Sequence, residues 1–389
     1  MIEDNNLKNI NNIVITFPFK KYYLDIEYLF ENFKNYKTQI KYDDKFKIRN
    51  VMTTHNAFFT TFSIKYDNRY TYVPEQEDNY EKVNVIGDYF CELPRVQSIG
   101  YGEKQSPFDY WKDNYIQIIK KVLSNYIYND IIKFPLDNKL KEHYYTYLLR
   151  EDIYNSVTEA RLGKPTVYNT LYKFFDAKKI CDPASAYGDR LLSAIACNID
   201  LYVGVDPNKD LFDGYNEIIR KYGDKNKQIM INAPFETAKL PDTLFDLVIM
   251  SPPPFLGETY SSPEGQSVNT FNDFDNWFIN FQLFICYKSY KILENNGHLI
   301  ITILDRPRDN YKITELLMLS IGYKLDHFTY KGVIGWEGSK LKKNITPFWI
   351  WQKQDKVNGK KKLYGFLLKK YYGKFYDIIK KIDYKNINN

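Results

Sequence analysis

Cysteine and histidine are scarce in this 389-residue chain, with four of each. Cys91, Cys181, Cys197 and Cys286 are scattered and form no CxxC pair. That argues against a disulfide framework or a zinc ribbon and fits a reducing compartment. His55, His143, His298 and His327 show no metal-ligand spacing, so no metal site is expected. No apolar run approaches the roughly 18 residues of a membrane span. The N-terminus "MIEDNNLKNINNIVITF" lacks the basic start and apolar core of a signal peptide. Internal repeats are missing too. These absences predict a soluble, cytoplasmic protein.

What is present is ordinary in bulk, with 44% hydrophobic and 26% charged residues. The unusual feature is 36 Tyr and 26 Phe alongside heavy Asn, Ile and Lys usage. The codon bias of an AT-rich genome explains this, so aromatic abundance by itself is no sign of base stacking. Net charge is +6, a mild excess that neither requires nor excludes a polyanionic partner. The charge is concentrated: from Lys353 to the end there are 11 lysines against three acidic residues. This reads as a solvated basic tail over 354–389, with a phosphate-binding arm as the alternative.

Residues 1–150 carry short strand-like pieces, "NAFFTTFSIKY" and "YTYVPEQ", and then a helical pattern from "FDYWKDNYIQIIKKV" onward. They form an N-terminal α+β accessory or substrate-recognition region to which the sequence assigns no further job. Beyond about residue 168 short apolar runs alternate with amphipathic segments. "KKICDP", "LYVGVD", "KQIMIN", "LFDLVIM" and "HLIITIL" read as strands. Helices lie between them, one of them running from "FDNWF" to a stop at Gly297. The strands "LDHFTYKGVI" and "PFWIWQK" close the set as an antiparallel edge. This alternation predicts an α/β fold with a parallel-rich sheet covered on both faces.

"ICDPASAYGDRLL" is a strand, a turn and a helix, a geometry that exposes backbone N–H groups to a ligand. One glycine after a strand is equally well explained by a plain tight turn. The next strand sharpens the reading: "YVGVDP" ends in Asp206, 18 residues beyond Gly188. A carboxylate there can accept hydrogen bonds from both ribose hydroxyls of an adenosine. The dinucleotide fingerprint G-x-G-x-x-G is absent, with Ala186 before Gly188 and Leu191 after it. Asp182, at the end of the first strand, would repel phosphate and welcome an ammonium group. An adenosine carrying a cationic amino acid is S-adenosylmethionine. "NAPFE" places Phe235 and Glu236 at the third strand end, where an adenine ring can stack and be read at its edge.

The fourth strand ends in "SPPPF", beside the first, where an acceptor should meet the cofactor. Prolines fix φ and remove donors, so a rigid turn would use them as well. An exocyclic amine on a nucleobase is a poor nucleophile because its lone pair is delocalised into the ring. A serine oxygen and a held backbone carbonyl accepting its two N–H bonds would favour a tetrahedral nitrogen aimed at the methyl donor. In a duplex such a base must first be flipped out.

Residues 156–353 resemble the class I S-adenosylmethionine-dependent methyltransferases of the amino-group, DNA-methyltransferase-like kind. "DPASAYGDR", "GVDP", "PFE" and "SPPPF" are similar to motifs I to IV of that family. The linked run of motifs is similar to methyltransferases carried by phages and large DNA viruses. The resemblance implies a Rossmann-like seven-stranded methyltransferase sheet over 151–353 with an N-terminal α+β extension. It implies cofactor contacts at Asp182, Ala184, Gly188, Asp206 and Phe235, with Glu236 in addition. Ser251, Pro252 and Pro253 would hold the target amine. The pattern is broken at Ala186, where the family has glycine, and at Pro254, where a stacking aromatic is expected. Either Phe255 or Tyr260 then takes that role, and Glu258 either contacts the target base or caps the following loop. The implied partner is nucleic acid, DNA before RNA, and the serine-led motif leans toward cytosine N4 over adenine N6. A protein glutamine, or a lapsed methyltransferase fold serving as a binding subunit, are the other readings. The two motifs stand only about 60 residues apart. Target recognition is therefore expected from residues 1–150, from the basic tail, or from the loop "GWEGSKLKKNITP", where Lys340, Lys342 and Lys343 surround Trp336.

Overall fold

In a computed structural model of the chain, the alternating segments build one mixed sheet. The structure describes residues 16–22, 24–36, 40–42, 65–67, 69–73, 81–124, 138–262, 264–304, 312–339 and 344–384. Ten strands lie within them: β1 (Lys41–Tyr42), β2 (Lys65–Tyr66), β3 (Arg69–Val73), β4 (Lys179–Asp182), β5 (Leu201–Asp206), β6 (Gln228–Asn232), β7 (Phe245–Met250), β8 (Leu293–Ile301), β9 (Phe328–Ser339) and β10 (Asn344–Lys353). Their order across the sheet is β1-β3-β2-β9-β10-β8-β7-β4-β5-β6. β4 pairs in parallel with both β5 and β7, β5 with β6, and β7 with β8. β10 is antiparallel to β8 and to β9. β4 to β10 thus form the parallel-rich sheet that the alternation predicts and the seven-stranded Rossmann-like sheet that the resemblance implies. The chain runs outward from β4 to β6, then returns to lay β7 on the other side of β4. That reversal opens a crevice at the carboxyl ends of β4, β5 and β7.

The reason these segments become central strands is their continuous apolar character. All but one residue of β7 and of β5 is buried, as expected for parallel strands covered on both faces. Helices Asp189–Ala196 and Phe212–Tyr222 follow β4 and β5, and helix Pro165–Phe174 packs against the first of these.

Three expectations are corrected. The long helix does not run to Gly297: it widens to a π-type stretch at Phe278–Leu283 and ends at Ile292, and the chain enters β8 at Leu293. Gly297 lies inside β8, across from a register shift in β7. A Cβ there would stand 3.1 Å from the Asp246 carbonyl oxygen, so close backbone approach explains the glycine. Second, β9 is not the edge. Tyr66 of β2 pairs with Gly332, and Tyr72 of β3 pairs with Gly335, so the N-terminal region extends the same sheet. Third, the basic segment after Lys353 is not a solvated tail. Helix Ile313–Lys324 is buried along almost its whole length, with Thr314, Glu315 and Ser320 buried beside its apolar residues, and a helix buried all round needs cover on both sides. Helices Lys361–Tyr371 and Gly373–Lys381 supply it with Leu367, Leu368, Phe375 and Ile379, all buried. Each such side chain contributes about 1.5–3 kcal/mol. The lysines occupy the opposite, exposed faces.

The N-terminal helices are tied together by buried charge pairs. Arg150 Nη1 lies 2.6 Å from Glu92 Oε1, and Arg95 lies between Asp88 and Glu159. Among the described residues no helix is long and apolar enough to cross a membrane. The described residues also hold no group of three or more His, Cys, Asp or Glu side chains arranged for a metal ion.

Candidate functional site

The loop after β4 is built around a buried carboxylate. Asp182 Oδ2 accepts from Arg190 Nε and from the Tyr202 hydroxyl, each at 2.6 Å, and Oδ1 accepts from Ala184 N at 3.3 Å. Arg190 also donates to the Ala184 carbonyl. Asp182 is fully buried and spent on shaping its own loop, so its place is beneath the ligand surface rather than facing a ligand's ammonium group.

Ala186 stands at φ 51° and Gly188 at φ 89°. The left-handed geometry that glycine would ease is therefore kept by an alanine, at a cost of about 1–2 kcal/mol. Its neighbours hold it there: Ala186 N donates to Asp206 Oδ2 at 2.8 Å, and its carbonyl accepts from the Tyr215 hydroxyl. Gly188 caps the helix Asp189–Ala196 and lies off the ligand surface. A Cβ on it would stand 2.9 Å from Ile218.

Asp206, the last residue of β5, takes a second backbone donor, Asn208 N, on Oδ1 at 2.9 Å. Burial pushes its carboxyl up to about 7, against the pull of those two N–H groups. The carboxyl of Asp189 is pushed up to about 8, also by burial.

These loops enclose a cavity of 520 Å³, lined among others by Ala184, Ala186, Asp206, Phe235, Glu236, Ser251, Pro252, Pro253, Glu258 and Tyr260. The size suits a nucleoside-sized ligand with room for a second group. Phe235 and Glu236 sit on the turn after β6. Lys288, on helix Phe284–Ile292, fastens this turn from below by donating to the carbonyls of Phe235, Glu236 and Ala238. Burial lowers the Lys288 ammonium and raises the Glu236 carboxyl. The sequence reading missed Lys288. No local signal in the helix "FICYKSYKI" separates it from the neighbouring Lys291.

The "SPPP" turn leaves β7 at Met250, whose carbonyl accepts from Thr302 N at 2.9 Å. Ser251 and the three prolines line the cavity. Phe255 does not. Its ring packs against Phe274 and Trp277, at 5.5 and 5.6 Å between centroids. Tyr260 is the aromatic the structure brings to the cavity, with its hydroxyl donating to Glu258 Oε2 at 2.9 Å. Glu258 is on the cavity wall as well.

The far side of this loop is strapped to the N-terminal region. Ile99 and Thr259 exchange backbone hydrogen bonds at 2.7 and 3.1 Å, and Gly102 N donates to the Gly257 carbonyl at 3.2 Å. Gly257, at φ 108°, lies flat against Tyr101, where a Cβ would fall 2.2 Å from the ring. Ser98 joins the strap to both loops: its Oγ accepts from Ser261 N at 3.1 Å and from the Tyr187 hydroxyl at 3.3 Å. Nothing in the sequence marked Ser98.

The crevice at the strand ends, the order β6-β5-β4-β7-β8-β10-β9 and the antiparallel β10 are now together. The fold is a Rossmann-like α/β fold with a seven-stranded sheet. Comparison with solved structures finds similarities of low identity. One is a methyltransferase from Pyrococcus furiosus, 11% identical, with a TM-score of 0.35, the match covering 54% of this chain and 96% of that one. Another is TrmN from Thermus thermophilus, 15% identical, TM-score 0.35, covering 49% of each chain. A third is the tRNA m1G37 methyltransferase of M. jannaschii, 13% identical, TM-score 0.33, covering 50% of this chain and 52% of that one. The chain thus spans about half the length of the last two. No protein-family profile matches the chain, and neither does any curated protein.

Proposed function

We propose that the chain is an S-adenosylmethionine-dependent methyltransferase acting on the exocyclic amino group of a nucleobase. The observation that carries this reading is that the tip of β5, with Asp206, and the tip of β7, with Ser251 and its prolines, face one cavity. The donor set fits the cofactor at its adenosine end. Asp206 and Glu236 offer carboxylate acceptors, which suit a ribose diol and an adenine edge and would repel a pyrophosphate. Phe235 supplies an aromatic wall beside them. Asp182, Arg190 and Tyr202 hold the loop that carries Ala184 and Ala186 against the ligand.

When bound, S-adenosylmethionine supplies an electrophilic methyl group on a sulfonium. The chain's part is to place and orient the acceptor. Ser251 Oγ and a carbonyl of the proline run accept the two amine N–H bonds, turning the nitrogen lone pair toward the donor. The prolines lend no N–H and keep that carbonyl fixed. Tyr260, rather than Phe255, offers the ring beside the base, and its bond to Glu258 fixes its position. The strap at residues 98–102 gives the N-terminal region a share in this site by bracing the loop.

The motif resemblance favours DNA as the substrate, at cytosine N4 or adenine N6. Isothermal titration with S-adenosylmethionine, comparing wild type with Asp206→Ala, tests the cofactor: binding lost in the variant supports the reading. A folded wild type that binds none overturns it. A labelled-methyl survey of DNA and RNA then decides the polymer, and label entering only RNA would replace DNA.

A further inference from the structure

The cavity does not end at the acceptor loop. It continues beyond Ser251 toward the β9–β10 hairpin, where Trp336 of β9 and Thr346 and Phe348 of β10 line it. Register explains why these meet: Trp336 pairs with Thr346 and Ile334 with Phe348, so the four share one face at the cavity end of the hairpin. Opposite them stands the start of helix Pro165–Phe174, with Val167 and Tyr168 on the cavity wall. Tyr168 and Phe348 meet edge to face at 6.3 Å. At the rim the preceding segment places two cations, Arg161 and Lys164, and Lys164 Nζ lies 5.6 Å from the Trp336 ring centroid.

The disposition of charge is informative. The buried arginines Arg95, Arg150 and Arg190 are each committed to carboxylates. Arg161 is exposed, and neither it nor Lys164 forms an ion pair among the described residues. An aromatic-walled lobe with unneutralised cations at its mouth suits a flat ring that carries an anion beside it.

We propose that this lobe is the acceptor subsite and takes one nucleotide unit, its base against Trp336 and its phosphate at Lys164 and Arg161. The inference rests on the proposed function for the direction of methyl transfer. It adds the residues that select the acceptor and the requirement for a phosphate. Recognition then comes from helix Pro165–Phe174 and the β9–β10 hairpin. Lys340, Lys342 and Lys343, in the loop read as one of three sources of target recognition with an ordinary solvated loop as the alternative, lie outside the described residues.

The test measures binding of a fluorescein-labelled single-stranded DNA oligonucleotide, and of RNA of the same sequence, in saturating S-adenosylhomocysteine. Trp336→Ala is expected to weaken binding about tenfold, and Trp336→Phe to restore most of it. Replacing Lys164 and Arg161 together by Gln is expected to flatten the log–log salt dependence by roughly 0.7, the value for one phosphate contact on a single strand. Titration with S-adenosylmethionine must be unchanged in all three variants, which establishes that they fold. AMP, CMP, dAMP and dCMP serve as competitors. Full competition by a mononucleotide would make a free nucleotide the acceptor, and competition by oligonucleotides alone would make it a strand. Variants that keep cofactor affinity and bind oligonucleotides like wild type would overturn the proposal. So would a wild type that binds cofactor but neither oligomer nor mononucleotide. A wild type that binds nucleotides but no cofactor would sink the proposed reaction while leaving the subsite standing.

Discussion

Asp206 offers a pH test in which the sign is fixed by the structure. Its carboxyl is raised from 3.8 to about 7, chiefly by burial. The folded state therefore holds a proton that the unfolded chain releases near pH 4. From there to about pH 7 the native state binds more protons, so this group's contribution makes stability fall as pH rises, and it is level above 7. A shift of about three units corresponds to roughly 4 kcal/mol at most. Cofactor binding runs the other way. A carboxylate that accepts both ribose hydroxyls must be ionised, so affinity should climb with pH and level off above 7. With a midpoint near 7, binding at pH 6 should be about tenfold weaker than at pH 8, with close to one proton released on binding. Isothermal titration in buffers of different ionisation enthalpy measures both quantities. The cofactor's own α-amino group titrates in the range of about 7.7–8.0. Adenosine, which lacks that amine, should therefore show the same pH dependence at lower affinity. Affinity for adenosine that is flat from pH 5.5 to 8.5, or that rises toward acid, would refute the assignment of Asp206.

Other perturbations follow from named contacts. Ser98→Ala should leave cofactor affinity intact while lowering turnover, and should speed hydrogen exchange at Thr259 and Ser261, since it removes the acceptor shared by Tyr187 and Ser261. Ala186→Gly relieves a left-handed alanine that costs about 1–2 kcal/mol and adds unfolded-chain freedom that costs about 0.5–1 kcal/mol, so it should stabilise the fold by a net of about 0.5–1 kcal/mol in thermal or denaturant unfolding. Phe375→Ala empties a fully packed site between the C-terminal helices and Phe274 and Phe278. It should cost about 3–5 kcal/mol in denaturant unfolding, which a solvated tail would not show.

The parts that were legible in the sequence are those fixed by local pattern. The runs "YVGVD" and "FDLVIM" are apolar enough to be central strands, and the spacing of Asp182, Asp206 and Ser251 follows from strand ends lying side by side. Side-chain partnerships that close across the fold were not legible. Asp182 reads as a ligand-facing carboxylate until Arg190, the second residue of the next helix, and Tyr202 on the neighbouring strand are seen to claim it. Phe255 reads as one of two candidate stacking rings until Phe274 and Trp277 draw it inward. Gly297 looks like a helix stop because glycine commonly ends helices, whereas here it marks the approach of β8 to the Asp246 carbonyl. The basic C-terminal segment looked solvated because its lysines far outnumber its acidic residues. What docks it is a property of a distant helix, Ile313–Lys324, which is mostly apolar, buried almost throughout and needs cover.

The central claim is methyl transfer to a base amine oriented by the Ser251 turn. The most direct measurement is transfer of labelled methyl from S-adenosylmethionine into unmodified DNA and RNA by wild type and by Ser251→Ala, with the products hydrolysed to nucleosides. The account predicts label on cytosine N4 or adenine N6 with the wild type. It predicts a loss of about 100-fold or more in the variant, with cofactor affinity retained. Full activity in Ser251→Ala, or a cofactor-binding wild type that labels no nucleobase amine, would contradict it.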